Sequence, residues 1–308
     1  MIPGLSSANV QFVTDVDNLQ TQLNNTQNQL ATGLRVNQAS DDPEALGDIF
    51  QSRAELANLN QVSQNLTNAQ AFVNAGDSSV QSAIQLMQNA LSLGTQGASS
   101  SASASTQSSL ATQVQSLLSQ MVGLSQTQVN GVYIFSGDQS GSVPYQLDPS
   151  SATGVQQLVT APATQQIADP SGLTFPISLT AQQIFDARDA SNNPTPQNVF
   201  AALNNLQLAL QSGNSANLTT AIDDVRSASA YLNQQLSFYG TTQNRITSAL
   251  DLAQKFQLQD QTQLSNLQDA DVTSLALQLT QQSTSLNAAM AAEAKRPTST
   301  LFDYLPIG

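Results

Sequence analysis

Two pairs of aspartates are the side chains in this sequence best placed for acid–base or metal chemistry. Asp41 and Asp42 are adjacent, and Asp269 and Asp271 lie two residues apart near the other end of the chain. Paired carboxylates can exchange protons or hold a divalent cation. The chain has no His and no Cys, the side chains most used for acid–base work near neutral pH, thiolate chemistry and zinc binding.

Each pair also has a structural interpretation. Asp42 is placed to cap a helix, with Pro43 at its first position and Glu44 near its positive end. Asp269 and Asp271 interrupt a helical pattern, and without a further oxygen ligand nearby they indicate a solvated face or a bend rather than a metal site. We therefore predict that the protein is not an enzyme and holds no cofactor and no metal, and that Asp42 and Pro43 form a structural cap.

The predicted surface carries little charge, and its balance is acidic. Only 9% of the residues are charged, against about 25% in an ordinary soluble domain, and the net charge is −13. No basic stripe is available to neutralise phosphates, so nucleic acid is not an expected partner. No apolar run approaches the ~20 residues of a membrane-spanning helix, and no typical secretory signal opens the sequence. We expect no membrane contact, and any export by another route.

Apolar residues repeat with helical spacing in the N-terminal part of the chain. The first stripe predicts a coiled-coil-like helix that ends at Gly33, and two further stripes predict two more helices. The first stripe comprises Val16, Leu19, Leu23, Thr26 and Leu30; the second comprises Leu59, Leu66, Val73, Val80 and Met87; the third comprises Leu110, Val114, Leu117, Met121 and Leu124.

The pattern changes in the middle and then returns. Residues 132–135 are β-branched or aromatic, and residues 140–195 hold most of the prolines, which favours a small β-rich insertion. Helical spacing resumes at Val199, and the last stripe comprises Leu275, Leu279, Leu286 and Ala289. We predict a mainly α fold in which both chain ends form a long antiparallel helical hairpin or coiled-coil bundle, with the small β-rich insertion between them.

Several motifs in this sequence resemble those of the bacterial flagellin family. Near the N-terminus stand residues 30–37 (LATGLRVN) and 39–45 (ASDDPEA). Residues 131–137 (GVYIFSG), with Gln183-Ile184-Phe185, Asn198-Val199-Phe200 and Asn244-Arg245, resemble the hook–filament junction branch of that family. Residues 288–295 and 299–305 resemble the family's last helix and tail. Pro43 and the tail favour the junction branch over filament flagellins.

The resemblance implies a division into three parts. Residues 1–42 with 262–308 would form a terminal coiled-coil domain that lines the channel of a tube. Residues 43–138 with 196–261 would form a helical-bundle domain, and residues 139–195 a β-rich outer domain. It also implies export through the flagellar type III channel to an extracellular flagellum, where the chain would join hook to filament.

The resemblance further implies partners and an assembly interface. The partners would be other copies in a ring or tube, the first hook-associated protein, flagellin, and a cytoplasmic export chaperone at the C-terminal helices. The predicted interface comprises Val16, Leu19, Leu23, Leu30, Leu34, Leu275, Leu279, Leu286, Met290, Leu301, Phe302, Tyr304 and Leu305.

Other interpretations stay open on the sequence alone. The apolar stripes could equally form the core of a monomeric bundle. A filament flagellin would share the same terminal pattern, and a secreted coiled-coil adhesin or translocator is a more distant alternative. A filament flagellin would polymerise alone into long tubes, whereas an adhesin or translocator would bind a host surface or membrane without a flagellum.

Overall fold

The computed structural model describes residues 7–99 and 102–295. It confirms a mainly α protein with a small strand-containing middle region. The helices are α1 (Ser7–Thr32), α2 (Ala45–Gly97), α3 (Ala104–Ser125), α4 (Ala181–Phe185), α5 (Val199–Ser212), α6 (Ser215–Gln268) and α7 (Val272–Ala294). The strands are β1 (Gln128–Val129), β2 (Val132–Tyr133), β3 (Tyr145–Leu147), β4 (Val155–Gln157), β5 (Gln166–Ala168) and β6 (Thr174–Pro176).

The strands form three separate antiparallel pairs, β1–β2, β3–β4 and β5–β6. Asn130 and Gly131 join the first pair, and both have positive φ, which a two-residue hairpin of this type requires. Only Val132 and Tyr133 of the predicted 132–135 strand are paired. Ile134 and Phe135 instead turn into the core, where both are buried. No helix of the described residues is both long and apolar enough to span a membrane.

The chain divides into two compact units. The first takes residues up to Asn58 and from Gln257 onward, and the second is Leu59–Phe256. The division falls within α2 and α6. The finer three-part division stays a prediction.

Helix ends follow local capping chemistry. Helix α1 ends before Gly33, which takes a positive φ of 72°. Asp271 caps α7, because its Oδ1 accepts hydrogen bonds from the amides of Thr273 and Ser274. Helix α2 begins at Ala45, two residues after Pro43, the predicted first helical position, and residues 43 and 44 form a turn. Asp42 Oδ1 closes that turn by accepting from the Ala45 amide at 3.1 Å.

The core of the second unit joins the four helical segments of α2, α3, α5 and α6 to the strand region. Four aromatic rings meet in it. The ring centroids are 5.7 Å apart for Phe135 and Phe185, 5.9 Å for Phe185 and Phe200, and 5.1 Å for Tyr145 and Phe200. These distances are typical of stabilising aromatic contacts. The middle residues therefore share one apolar core with the helices.

A carboxylate lies fully buried beside these rings. Asp186 accepts hydrogen bonds from the Tyr145 hydroxyl at 2.8 Å, from Arg188 Nε at 2.9 Å and from Asn198 Nδ2 at 2.5 Å. Its side chain is 0% exposed. A buried charge is tolerated only when it is paired and hydrogen-bonded. The network ties the middle segment to the start of α5, because Asn198 also caps that helix.

Helices α2 and α6 pack closely in the second unit, and a glycine permits the approach. A Cβ atom added to Gly76 would lie 2.4 Å from the ring of Tyr239, which is buried. Nearby, Gln243 donates a hydrogen bond to Asn74 across the same pair of helices. Residue numbers rise on α2 as they fall on α6, so the two helices run antiparallel here.

The Gly76→Ala substitution tests this contact. Alanine gains about 1 kcal/mol of helix propensity over glycine, but overpacking against a buried ring costs about 1–3 kcal/mol, so we expect net destabilisation. Gly240→Ala on α6 is the matched control, because nothing lies within 4 Å of the added Cβ, and it should stabilise. Urea unfolding of both variants measures the difference. Equal stabilisation by both would show that the helices do not approach as closely as described.

The Asp186 network predicts an alkaline sensitivity. Burial, followed by the charge of Asp186, raises the pKa of Tyr145 well above its ordinary value of 10.0. Above about pH 10 the unfolded chain ionises this tyrosine while the folded chain does not, so stability falls as pH rises. Tyr145→Phe should lower the free energy of unfolding at neutral pH by about 1–3 kcal/mol and weaken its decline above pH 10. Melting temperatures between pH 7 and 11 check this, with Tyr133→Phe as the control.

Candidate assembly surface

The helices nearest the two chain ends pack on each other in the first unit. Leu34, just after α1, forms an antiparallel bridge with Asp269, just before α7. Farther along, Leu19 borders the same groove as Gln278 and Gln282. Residue numbers therefore rise along α1 as they fall along α7, and the helices are antiparallel. This is the pairing of both ends that the apolar stripes predict.

The predicted interface residues lie at or beside this pairing, but a single chain covers them only in part. Leu275 is buried at 8% exposure, whereas Met290 is 58% exposed. The others in the described range are half-buried: Val16, Leu19, Leu23, Leu30, Leu34, Leu279 and Leu286. Leu301, Phe302, Tyr304 and Leu305 lie outside the described residues. The α1–α7 pair alone thus leaves much apolar surface in contact with water.

Further exposed apolar side chains stand on the same two helices. Val10 and Val13 on α1 are 50% and 54% exposed, and Leu277 on α7 is 71% exposed. We call these three, with Met290, the outer apolar residues. Leu277 lies two positions from Leu275 and from Leu279, which places it on the opposite side of the helix. The sequence analysis missed Val10, Val13 and Leu277 because they fall outside the heptad stripes. Their signal was an apolar residue on an otherwise polar helix face.

A clamp centred on Arg35 fixes how the two ends meet. Arg35 Nη1 forms a salt bridge with Asp42 at 2.7 Å, and Nη2 donates to the carbonyl of Leu267 at 2.6 Å. The amide of Arg35 donates to the Gln268 carbonyl at 2.7 Å, and Arg53 donates to the side chain of Gln268 at 2.9 Å. The turn after α1 is therefore bonded to the break between α6 and α7, which sets the register of α1 against α7.

The two adjacent aspartates serve this turn. Asp41 accepts hydrogen bonds from the amides of Gln38 and Asn37, each at 2.9 Å, and these bonds lower its pKa. The hydrogen bond from Arg35 lowers the pKa of Asp42, with help from the Ala45 amide. Both carboxylates are thus held ionised as acceptors. A general acid needs the opposite shift, so this geometry performs a structural task.

The surrounding grooves offer amide and hydroxyl groups. One beside the clamp is lined by Asn25, Asn28, Gln29, Ala31, Thr32, Asn37, Gln38, Ser40 and Asp41. In residues 7–99 and 102–295 there is no group of three or more His, Cys, Asp or Glu side chains that could hold a metal ion. What these surfaces can provide is apolar contact and neutral hydrogen bonding to another polypeptide.

The chain is similar to known proteins in both sequence and fold. Residues 6–140 match the model of the bacterial flagellin N-terminal helical region. No curated protein sequence matched the chain. Solved structures share the fold at identities that inform on the fold alone, and three of them are described below.

The first is a proposed flagellar hook-associated protein from Vibrio parahaemolyticus, with a TM-score of 0.65 and 16% identity over 74% of this chain and 100% of that one. The second is FlgL from Xanthomonas campestris, with a TM-score of 0.59 and 16% identity over 70% and 99%. The third is the flagellar junction protein FlgL from Legionella pneumophila, with a TM-score of 0.58 and 13% identity over 72% and 99%. Residues 6–140 are thus similar to the flagellin N-terminal helical region, and the chain shares its fold with these flagellar hook-associated and junction proteins.

Proposed function

We propose that this protein is a structural subunit of the bacterial flagellum that joins the hook to the filament and assembles through its terminal helices. The observation that carries the proposal is the incompletely covered apolar surface of α1 and α7, in a chain that resembles flagellin over residues 6–140 and has the fold of hook-associated proteins. It acts mechanically, as a packed element of a tube, and it is not an enzyme.

The driving force for assembly is burial of the outer apolar residues and of the half-covered stripe. Burying one leucine-sized side chain contributes about 1.5–3 kcal/mol. Several such side chains per subunit, repeated around a ring or tube, offset the entropy lost when a subunit is fixed.

The low charge of the chain favours close packing between subunits. Only 9% of residues are charged, so neighbouring helices meet mainly through Gln, Asn, Ser and Thr. Neutral side chains avoid the large desolvation cost of burying unpaired ions. The Arg35 clamp holds α1 and α7 in one register, so each copy presents the same surface to its neighbours.

The partners follow from the junction role. Other copies of the chain form the ring or tube, the first hook-associated protein contacts it on one side, and flagellin contacts it on the other. Before assembly the chain travels unfolded through the flagellar type III export channel to the cell exterior. A cytoplasmic export chaperone covers the C-terminal helices until then, because the exposed apolar surface of α7 would otherwise aggregate.

A substitution at an outer apolar residue separates assembly from folding. Leu277 is 71% exposed, so Leu277→Glu should change the melting temperature of the isolated chain little while blocking incorporation into flagella. Leu208→Glu is the matched control, because Leu208 is a helical leucine, 51% exposed on α5 of the second unit, and it should incorporate normally. Immunoblots of purified flagella give the readout. Normal incorporation of Leu277→Glu would show that this face stays in water.

Deletion of the gene tests the junction role directly. Electron microscopy should show hooks without filaments, and flagellin should appear in the medium, because nothing retains it on the hook. Complementation with the intact gene is the control. Normal filaments in the deletion strain would overturn the proposal, and polymerisation of the purified protein alone into long tubes would indicate a filament flagellin instead.

A further inference from the structure

We propose that a shallow groove between α6 and the β5–β6 hairpin binds an acidic side chain of a second copy of this chain, with Arg245 as the residue that holds its carboxylate. The groove lies in the second unit, apart from the α1–α7 surface. The inference rests on the proposed function, because an assembly is what brings a second copy to this groove.

Arg245 is held in position without using its hydrogen-bond donors. Its guanidinium carbon lies 4.3 Å from the centroid of the Phe175 ring, and Phe175 is itself buried at 2% exposure. A stacked guanidinium keeps its planar fork of N–H donors available for a carboxylate. Stacking therefore fixes the group before a partner arrives, which reduces the entropy lost on binding.

Within the part of the chain that the structure describes, Arg245 differs from the other arginines. No hydrogen bond or salt bridge joins it to a described residue. The other four each donate to an acceptor in their own chain: Arg35, Arg53, Arg188 and Arg226. In a chain with only 8 Lys and Arg residues, a stacked and exposed arginine with unused donors is set apart.

The walls of the groove suit a carboxylate on a short apolar stem. Thr241, Asn244 and Ser248 supply polar groups, while Ala249 and Leu252 supply apolar surface. Thus a carboxylate can meet Arg245 while its methylene groups touch the apolar side.

Asp169 also lines the groove, but it is committed to its own turn. Its Oδ1 accepts hydrogen bonds from the amide and hydroxyl of Ser171 and from the amide of Leu173. These bonds, led by the Ser171 hydroxyl, lower the pKa of Asp169, and the nearby charge of Arg245 lowers it further. No salt bridge joins it to Arg245, so the guanidinium keeps its donors for an incoming carboxylate.

Charge complementarity identifies the occupant as a second copy. The chain has 21 acidic residues and 8 basic ones. Salt bridges within the chain include those of Asp42, Asp186 and Asp223. Because acidic residues outnumber basic ones, copies packed side by side present more carboxylates to each other than basic groups. Arg245 offers a bidentate site that turns one of these repulsions into an attraction.

Photo-crosslinking in intact flagella tests the inference. The crosslinker p-benzoyl-phenylalanine is placed at Ser248 in the groove and, in a second strain, at Leu277 on the outer apolar surface. We expect both positions to give crosslinked dimers of this chain. Mass spectrometry should place an Asp or Glu in the peptide joined to position 248.

Charge variants then test the role of Arg245. Arg245→Glu should lower the dimer yield at position 248 by about tenfold or more, because losing a charge-assisted hydrogen bond and adding repulsion exceeds 1.4 kcal/mol, one tenfold step in affinity. Arg226→Glu is the matched control on the same helix, where the arginine is exposed and pairs only with Asp223, and it should leave the yield unchanged. Arg245→Gln should also lower the yield and serves if Arg245→Glu lowers the melting temperature.

The outcomes separate the two proposals. Three outcomes would overturn the inference but not the proposed function. The first is dimers at position 277 but none at position 248, and the second is crosslinks from position 248 to a different protein. The third is a dimer yield at position 248 that neither Arg245 variant changes. Absence of dimers at both positions would overturn the proposed assembly and the inference with it.

Discussion

The apolar stripe of α1 is partly shielded from water by packing against α7. The two helices lie near opposite ends of the sequence, so this contact closes the chain on itself and defines the first unit. A lone helix of this length is marginal in water, and each of the two depends on the other. Yet the pair is too thin to cover every apolar residue, since two packed helices shield only their facing sides. Leu275 is sealed, while Leu277 and Met290 stay in water.

Under the proposed function, this incomplete burial links stability to assembly. In an ordinary globular domain most large apolar side chains are buried once the chain folds, and charged side chains cover much of the surface. Here the charges are few, and apolar and amide groups take their place on the outside. Such a surface is suited to repeated contact with identical neighbours. Amides can form neutral hydrogen bonds there, and leucines can be buried without a charged or hydrogen-bonding partner. Specificity must then come from geometry, which the Arg35 clamp supplies by fixing one helix register.

The second unit is stabilised differently. Its core is complete within one chain, with Phe135, Phe185 and Phe200 packed together and Asp186 fully paired beside them. A buried, satisfied polar network specifies one arrangement of the segments that meet at it. The second unit therefore buries its core within one chain, whereas the apolar surface of α1 and α7 in the first unit is only partly covered. The Arg245 groove adds a polar contact on the second unit, where position is already fixed before another copy arrives.

The sequence by itself determined where several of the helices lie. Heptad spacing placed α1, α2, α3 and α7, and Gly33 marked the end of α1, because capping and helical periodicity depend on residues a few positions apart. The same local signals placed the apolar stripes that make up most of the candidate surface. They located the helix break at Asp269 and Asp271, although they did not assign Asp271 as the cap of α7.

Only the tertiary structure decided which distant residues meet. Arg35 bonds to a carbonyl 232 residues away, Tyr145 reaches Asp186, and Arg245 stacks on Phe175. Ile134 and Phe135 follow the β-branched and aromatic pattern of a strand, but both side chains are buried in the core instead. Burial of large apolar groups outweighs a local strand preference. The sequence pattern also did not predict the exposure of Leu277, because that exposure depends on which side of α7 packs against α1. Local spacing cannot encode contacts that arise when the chain folds back on itself, and these contacts set both the clamp and the groove.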